Sequence, residues 1–132
     1  LLWGSRMYKH NYLALALMAL PVLAQAGDSR VAIGTGLASY YGAELSGNRT
    51  ASGERFDMHA MTAAHRSLPL NCYIRVTNQD NGKSVVVKVN DRGPFHGNRI
   101  LDLSYGAAKQ IGITSRGVGN VTIERIDPPN GQ

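Results

Sequence analysis

The chain has 132 residues, of which 43% are apolar and 17% are charged, and its formal net charge is +5. This composition is typical of a globular protein and excludes the charge-rich, aromatic-poor profile of a disordered one. The single cysteine, Cys72, excludes an intramolecular disulfide and a metal site built on several cysteines. Because Cys72 alternates with Ile74 and Val76, we expect a small buried side chain rather than a reactive thiol.

The N-terminal region is typical of a secretory signal peptide. Residues 7–26 combine a basic start, an apolar run of twelve residues and a small-residue site at Ala24-Gln25-Ala26. An apolar run of this length is too short for a bilayer, which takes roughly 20 residues, so we expect export and cleavage rather than a stable membrane span. Residues 1–6 precede Met7, and we interpret them as an extension from gene prediction or an expression vector.

Cleavage after Ala26 predicts a mature domain over residues 27–132, located in the periplasm or cell envelope. A bacterial lipoprotein needs a cysteine directly after this site, and the residue there is Gly27, so we expect no lipid anchor. Beyond the signal, twelve Lys and Arg residues oppose nine Asp and Glu residues. This excess suits nucleic acid or a negatively charged wall polymer, and export favours the wall polymer. A monomer is the default expectation.

Short alternating runs separated by Gly, Asn, Asp and Pro predict a compact, mainly β domain. The predicted elements are a strand over 34–41, a long loop with a helical turn over 42–66, a hairpin of strands 72–77 and 84–90, a strand over 99–104, a helix from there to residue 112, and a strand over 119–126. Asn81-Gly82 supplies the hairpin turn. Ser104 is expected to cap the helix and Gly112 to end it.

Two aspartates bracket one predicted loop. The period of two along residues 84–91 places Asp91 on the same face as the three valines at 85, 87 and 89, and Asp102 lies in the next short strand. Paired carboxylates are the groups that cleave glycosidic bonds. The alternative is structural, with Asp91 capping the turn at Gly93-Pro94 and Asp102 capping the start of the helix.

Other polar residues of the long loop are weaker candidates. Glu54 and His65 are chemically suitable for a site, but a lone glutamate or histidine is usually solvated surface. No closely spaced histidine pair is present, so we expect no metal and no cofactor. Tyr40 and Tyr41 could present a ring to a sugar, although an aromatic pair at a strand end usually packs.

Ordered blocks along the chain carry a family resemblance. They are GLASYYG (36–42), TASGE (50–54), TAAH (62–65), LPL (68–70), VTN (76–78), VNDRGP (89–94) and DLS (102–104). Together they strongly resemble the rare-lipoprotein-A family over about residues 34–126. The resemblance implies a six-stranded double-psi β-barrel with short helices, related to expansins. It also implies a lytic transglycosylase that cuts the MurNAc–GlcNAc bond of peptidoglycan, with a preference in some members for glycan without stem peptides.

The resemblance also implies which residues act. The family's functional glutamate, histidine and aspartate fall on Glu54, His65 and Asp91, and Asp102 matches an aspartate on which related barrels depend. In the implied reaction one aspartic acid, Asp91 or Asp102, protonates the glycosidic oxygen, and the C6 hydroxyl of MurNAc closes a 1,6-anhydro ring without water. Glu54 and His65 would orient the acid or bind sugar. The predicted substrate-binding residues are Tyr40, Tyr41, Thr50, Ser52 and Arg92.

Two departures from the family pattern leave an alternative open. Members often carry a lipidated cysteine and a C-terminal SPOR module that binds peptidoglycan, and neither is expected here, which puts septal targeting in question. The alternative is a non-catalytic, expansin-like module that binds or loosens the wall. Peptidoglycan glycan strands are the expected partner in both cases. Cell-division or wall-remodelling proteins are further candidates, and nucleic acid is disfavoured.

Overall fold

The computed structural model describes residues 30–126. The predicted signal peptide and the residues before it lie outside this range. Within it the strands are β1 (Arg30–Tyr41), β2 (Thr62–Ala64), β3 (Tyr73–Asn78), β4 (Ser84–Asp91), β5 (Arg99–Ser104) and β6 (Val118–Ile126), and the α-helix is α1 (Tyr105–Ile111). A short 3-10 helix covers Ala43–Leu45. The predicted mainly β class is confirmed.

The six strands close into a barrel in the order β1-β5-β2-β4-β3-β6. The pairs β1/β5 and β2/β4 are parallel, and the other four pairs are antiparallel. Parallel neighbours need long crossover connections, and the segment between β1 and β2 docks beside the end of β4, where the Ser52 amide donates to the Asn90 carbonyl at 3.1 Å. The topology therefore brings several loops to one region.

The barrel interior is filled by alternate residues of every strand. The buried cluster includes Ala38, Ala63, Ile74, Val76, Val85, Val87, Val89, Leu101, Leu103, Val121 and Ile123, with Ala107, Ala108 and Ile111 from α1. Cys72 belongs to the same cluster and is a free, buried thiol, as predicted. Stability comes from packing of these apolar side chains.

A bulge near the end of β4 corrects the predicted orientation of Asp91. Ala63 of β2 is opposite Val89, but Ala64 is opposite Asp91, so Asn90 is an extra residue in β4. Residues opposite each other share a face of the sheet, and Ala64 follows the core residue Ala63. The bulge therefore turns Asp91 to the outer face, and its predicted place on the valine face is wrong because an extra residue interrupts the alternation.

The remaining elements agree with the sequence except at two places. Ser104 accepts a hydrogen bond from the Ala107 amide at 3.2 Å, and Gly112 ends α1 with a left-handed φ of 77°. Gly82 has a positive φ in the hairpin turn. However, β1 begins at Arg30 rather than at residue 34, and β2 lies inside the segment predicted to be a loop. With three residues, β2 is too short to show a periodic pattern.

Candidate active site

A row of residues crosses four strands on the outer face of the barrel. Ser39 of β1 is opposite Asp102 of β5, Asp102 is opposite Ala64 of β2, and Ala64 is opposite Asp91 of β4. Since adjacent strands lie about 4.8 Å apart, the two aspartate backbones are roughly 10 Å apart with one alanine between them. Ala64 is buried, with 2% of its surface exposed, so the row between the two aspartates is covered by other side chains.

The Asp91 carboxylate is held by the backbone of two loops. Its Oδ1 accepts hydrogen bonds from the Ala51 amide at 3.0 Å and from the Arg92 amide at 2.9 Å. The segment 50–54 docks here because the Ser52 amide also donates to the Asn90 carbonyl at 3.1 Å. One oxygen of Asp91 is thus fixed, and neither of these bonds engages the other oxygen.

The Asp102 carboxylate has side-chain partners instead. Its Oδ1 accepts a hydrogen bond from the Ser39 hydroxyl and lies 4.0 Å from Nη1 of Arg99. Arg99 also donates to the Ser39 hydroxyl at 2.7 Å, so the three residues form one cluster. The predicted alternative, in which Asp102 caps the helix, is not observed because Ser104 occupies that position.

Tyr41 lies near both aspartates and lines a small cavity. This cavity has a volume of about 110 Å³ and is lined by Tyr41, Leu45, Asn48, Arg49, Thr50, Phe56 and Asp91. The Tyr41 ring packs on Phe56 with a centroid distance of 4.8 Å. Its hydroxyl is buried and has no hydrogen-bond partner among the described residues. Burial first, and then the charges of Asp91 and Asp102, raise the pKa of Tyr41, so the hydroxyl stays a neutral donor.

Glu54 is fixed at the edge of this region by an ion pair. Its Oε2 lies 2.8 Å from Nζ of Lys88, and its Oε1 accepts a hydrogen bond from the Ser52 hydroxyl at 3.1 Å. The hydrogen bond from Lys88 is the largest cause that holds the pKa of Glu54 below its ordinary value. Glu54 is therefore a carboxylate, which suits positioning better than proton donation.

His65 and Arg92 shape the turn beside Asp91. Nδ1 of His65 accepts hydrogen bonds from the Ser67 and Leu68 amides, both at 3.1 Å, so the ring proton is on Nε2. Burial, with Arg66 and Arg92 nearby, lowers the pKa of His65. Arg92 donates to the carbonyls of His65 at 3.2 Å and Leu68 at 2.8 Å. The His65 amide donates to the Asp91 carbonyl at 3.1 Å, so this turn supports Asp91 directly.

The predicted sugar-contacting residues separate into two groups. Tyr41 and Thr50 line the cavity, and Ser52 contacts both Thr50 and Glu54. Tyr40 follows the alternation of β1 onto the opposite face, where it packs on the core and its hydroxyl donates to the Thr114 carbonyl at 2.8 Å. Tyr40 is thus partly buried against the core, and the guanidinium of Arg92 is engaged with backbone carbonyls. We revise both of their predicted roles to structural ones.

Several residues of the site were not identified from the sequence. Ser39 and Arg99 position Asp102, Lys88 pairs with Glu54, and Phe56 supports Tyr41. Ser39 was inside a recognised block, but its proximity to Asp102 depends on strand register.

In the described part of the chain, no three His, Cys, Asp or Glu side chains are grouped so that they could hold a metal ion. No helix within residues 30–126 has the length and apolar character to cross a membrane.

A family model described as lytic transglycolase matches residues 33–123. The chain belongs to this family. One relative is the endolytic peptidoglycan transglycosylase RlpA of Neisseria meningitidis, which is 57% identical over 94 residues; the match covers 71% of this chain and 39% of the relative. The RlpA of Vibrio cholerae is 58% identical over 92 residues, and the match covers 70% of this chain and 35% of the relative. That of Pseudomonas aeruginosa is 54% identical over 101 residues, covering 76% and 30%. The chain thus spans between 30% and 39% of the length of these relatives.

Solved structures support the fold. An expansin of Clavibacter michiganensis has a TM-score of 0.58 at 20% identity, covering 78% of this chain and 53% of the expansin. A papain inhibitor of Streptomyces has a TM-score of 0.56 at 22% identity, covering 74% of this chain and 94% of the inhibitor. The predicted six-stranded, expansin-like double-psi β-barrel is therefore confirmed.

Proposed function

We propose that this chain is an endolytic lytic transglycosylase that cleaves the MurNAc–GlcNAc bond of peptidoglycan and leaves 1,6-anhydro-MurNAc ends. The observation that carries the proposal is the placement of Asp91 and Asp102 on either side of Ala64, on the outer face of the barrel, with the hydroxyl of Tyr41 near both. The names of the relatives support peptidoglycan as the substrate.

Asp91 is assigned as the general acid. Asp91 lines the cavity together with Tyr41, and backbone amides fix its Oδ1. Its Oδ2 can therefore donate a proton to the glycosidic oxygen. The acid proton passes to the oxygen of the departing GlcNAc as the bond from that oxygen to C1 of MurNAc breaks. The C6 hydroxyl of the same MurNAc then bonds to C1, and its proton returns to Asp91. The acid is regenerated, and no water is consumed.

Asp102 is assigned to a different task. It is tied to Ser39 and Arg99, which hold its carboxylate in one orientation. A fixed carboxylate near the reacting sugar stabilises the positive charge that develops at C1 in the transition state. The two aspartate backbones are roughly 10 Å apart, and Ala64 between them is buried, so the sugar approaches both carboxylates from outside this row.

The other residues bind or position. Tyr41 and Thr50 line the cavity beside Asp91. Ser52 and Glu54, with Lys88, hold the segment that donates the Ala51 amide to Asp91. His65 and Arg92 hold the turn behind Asp91. None of these roles requires a metal or cofactor.

The proposed setting is the periplasm or cell envelope, after removal of a signal peptide. Glycan strands without stem peptides are the preferred substrate in this proposal, because the cavity is small and its donors are suited to sugar hydroxyls. In this proposal the protein acts as a monomer, cell-division or wall-remodelling proteins recruit it, and nucleic acid has no role.

An expansin-like binding module is the second candidate. The fold similarity to an expansin, one form of which was solved with cellohexaose, favours a glycan on this barrel without requiring cleavage. Such a module would use the same outer face to bind or loosen the wall. The two candidates differ in their products, since only the enzyme creates new glycan ends.

The decisive experiment incubates the purified protein with intact peptidoglycan and with peptidoglycan stripped of stem peptides by an amidase. Soluble products are analysed by mass spectrometry, and binding is followed by co-sedimentation. Products with 1,6-anhydro-MurNAc ends, more abundant from the stripped substrate, support the transglycosylase. Co-sedimentation without any such product would establish the binding module instead.

A further inference from the structure

Phe95 has the greatest exposure among the large apolar side chains that the structure describes. It is 73% exposed, compared with 60% for Val31, the next in order. A phenyl ring left in water forfeits the favourable transfer of its apolar surface. Its position next to the candidate active site offers a reason for this exposure.

Gly93 places the Phe95 ring beside Asp102. Gly93 has a φ of +135°, a conformation that favours glycine. A Cβ atom built on Gly93 would lie 3.6 Å from Cε2 of Phe95 and 3.9 Å from Oδ2 of Asp102. The ring and the carboxylate oxygen therefore contact the same small space, which the absence of a side chain at Gly93 keeps free.

The loop that carries Phe95 is anchored on both sides. Arg66 donates from Nε to the Pro94 carbonyl at 2.8 Å and from Nη2 to the Arg99 carbonyl at 2.5 Å. These bonds fix the backbone directly before Phe95 and at the start of β5. An anchored loop backbone loses little freedom when a ligand binds, so the segment that carries the exposed ring is organised in advance for contact.

We infer that Phe95 is a stacking platform for a sugar of the glycan strand, in a subsite next to Asp102. The inference rests on the proposed function, because it takes the outer face around Asp91 and Asp102 as the glycan site. A pyranose ring carries C–H groups on its faces, and these pack against an aromatic ring while the hydroxyls stay solvated. Phe95 would hold the strand beyond the reacting sugar and so affect binding more than chemistry.

The test measures glycan binding in a form that cannot cleave. Isothermal titration calorimetry with stem-peptide-free glycan strands is done on proteins that carry Asp91→Asn. Adding Phe95→Ala is expected to raise the Kd about tenfold, and Phe95→Tyr to restore it, because a ring with a polar tip still stacks. Val31→Ala is the control, since Val31 is also exposed and lies along β1 roughly 26 Å from Ser39. It should leave the Kd unchanged.

Separate outcomes distinguish this inference from the proposed function. An unchanged Kd in the Phe95→Ala protein overturns the platform, whether or not the native protein cleaves glycan. If the native protein binds strands without cleaving them and Phe95→Ala weakens binding, the platform stands and transglycosylation fails. If the native protein cleaves, Phe95→Ala should raise KM with kcat within about twofold, because stacking away from the reacting bond acts equally on ground and transition states. Failure of every form to bind overturns both.

Discussion

Asp91 and Asp102 are both opposite Ala64, one from β4 and one from β5. This relationship depends on a bulge at Asn90, since without the extra residue Asp91 would lie on the core face. It puts two carboxylates on one surface, and burial first, then both of their charges, raise the pKa of Tyr41. The two aspartates differ in their surroundings, with backbone amides around Asp91 and the Ser39–Arg99 pair around Asp102.

Tyr41→Phe should separate stability from function. The Tyr41 hydroxyl is buried without a partner among the described residues, so its removal should raise the free energy of unfolding by about 1 kcal/mol. The buried hydroxyl presents no surface to a sugar and the ring is kept, so KM should stay within about twofold. Urea denaturation and initial rates of anhydro-end release measure the two effects. A KM that rises about tenfold would contradict this prediction, because the hydroxyl would then have to contact substrate.

His65 predicts a dependence of stability on pH. Its pKa is lowered in the folded protein, whereas an unfolded histidine titrates near ~6.5. A lowered folded pKa gives a stabilisation that is complete above the unfolded pKa and is lost as the pH falls through the folded pKa. Protonation of Nδ1 would also break the hydrogen bonds from Ser67 and Leu68. The free energy of unfolding should therefore decrease below about pH 6.5.

The matched control for this effect is His65→Asn. An asparagine Oδ1 can accept the same backbone amides but does not titrate. The free energy of unfolding, measured by urea denaturation at several pH values, should therefore depend less on pH in the variant than in the native protein. Equal dependence in both proteins would contradict the assignment, because other groups would then cause it.

The Glu54–Lys88 pair predicts a pKa change with a small effect on stability. Lys88 is the main cause of the lowered pKa of Glu54, so Lys88→Met should raise that pKa toward its ordinary value. NMR titration of the Glu54 carboxyl carbon measures it. The Glu54 side chain is 44% exposed, so a double-mutant cycle with Glu54→Gln should give a coupling of under about 1 kcal/mol. A Glu54 pKa that does not move in Lys88→Met would contradict the role of this pair.

Local sequence patterns predicted most of the barrel. Alternating valines indicated β4, Asn81-Gly82 indicated the hairpin, and Ser104 with Gly112 bounded the helix, because each of these features depends on nearby residues only. The short strand β2 was missed because its neighbours, not its own pattern, make it a strand. The bulge at Asn90 was missed for the same reason, and this error put Asp91 on the wrong face.

The site was predicted in part. The family resemblance named Glu54, His65, Asp91 and Asp102. In the structure the two aspartates are both opposite Ala64, the His65 amide donates to the Asp91 carbonyl, and Glu54 lies in the segment that donates the Ala51 amide to Asp91. The sequence could not predict that Ser39 and Arg99 hold Asp102 or that Lys88 holds Glu54, since these contacts join residues far apart in the chain. Phe95 was overlooked because exposure of a single aromatic residue has no sequence signal.

The proposed reaction is tested most directly by comparing the native protein with Asp91→Asn and Asp102→Asn on stem-peptide-free glycan in water enriched in ¹⁸O. Asparagine Oδ1 can still accept the Ala51 and Arg92 amides at position 91, so the fold should be kept, and Asp80→Asn at an exposed surface pair serves as the control. We predict 1,6-anhydro-MurNAc ends without ¹⁸O from the native protein and from Asp80→Asn. We also predict at least about a hundredfold loss of rate in Asp91→Asn. Full activity of Asp91→Asn, or ¹⁸O in the new ends, would contradict the proposed reaction.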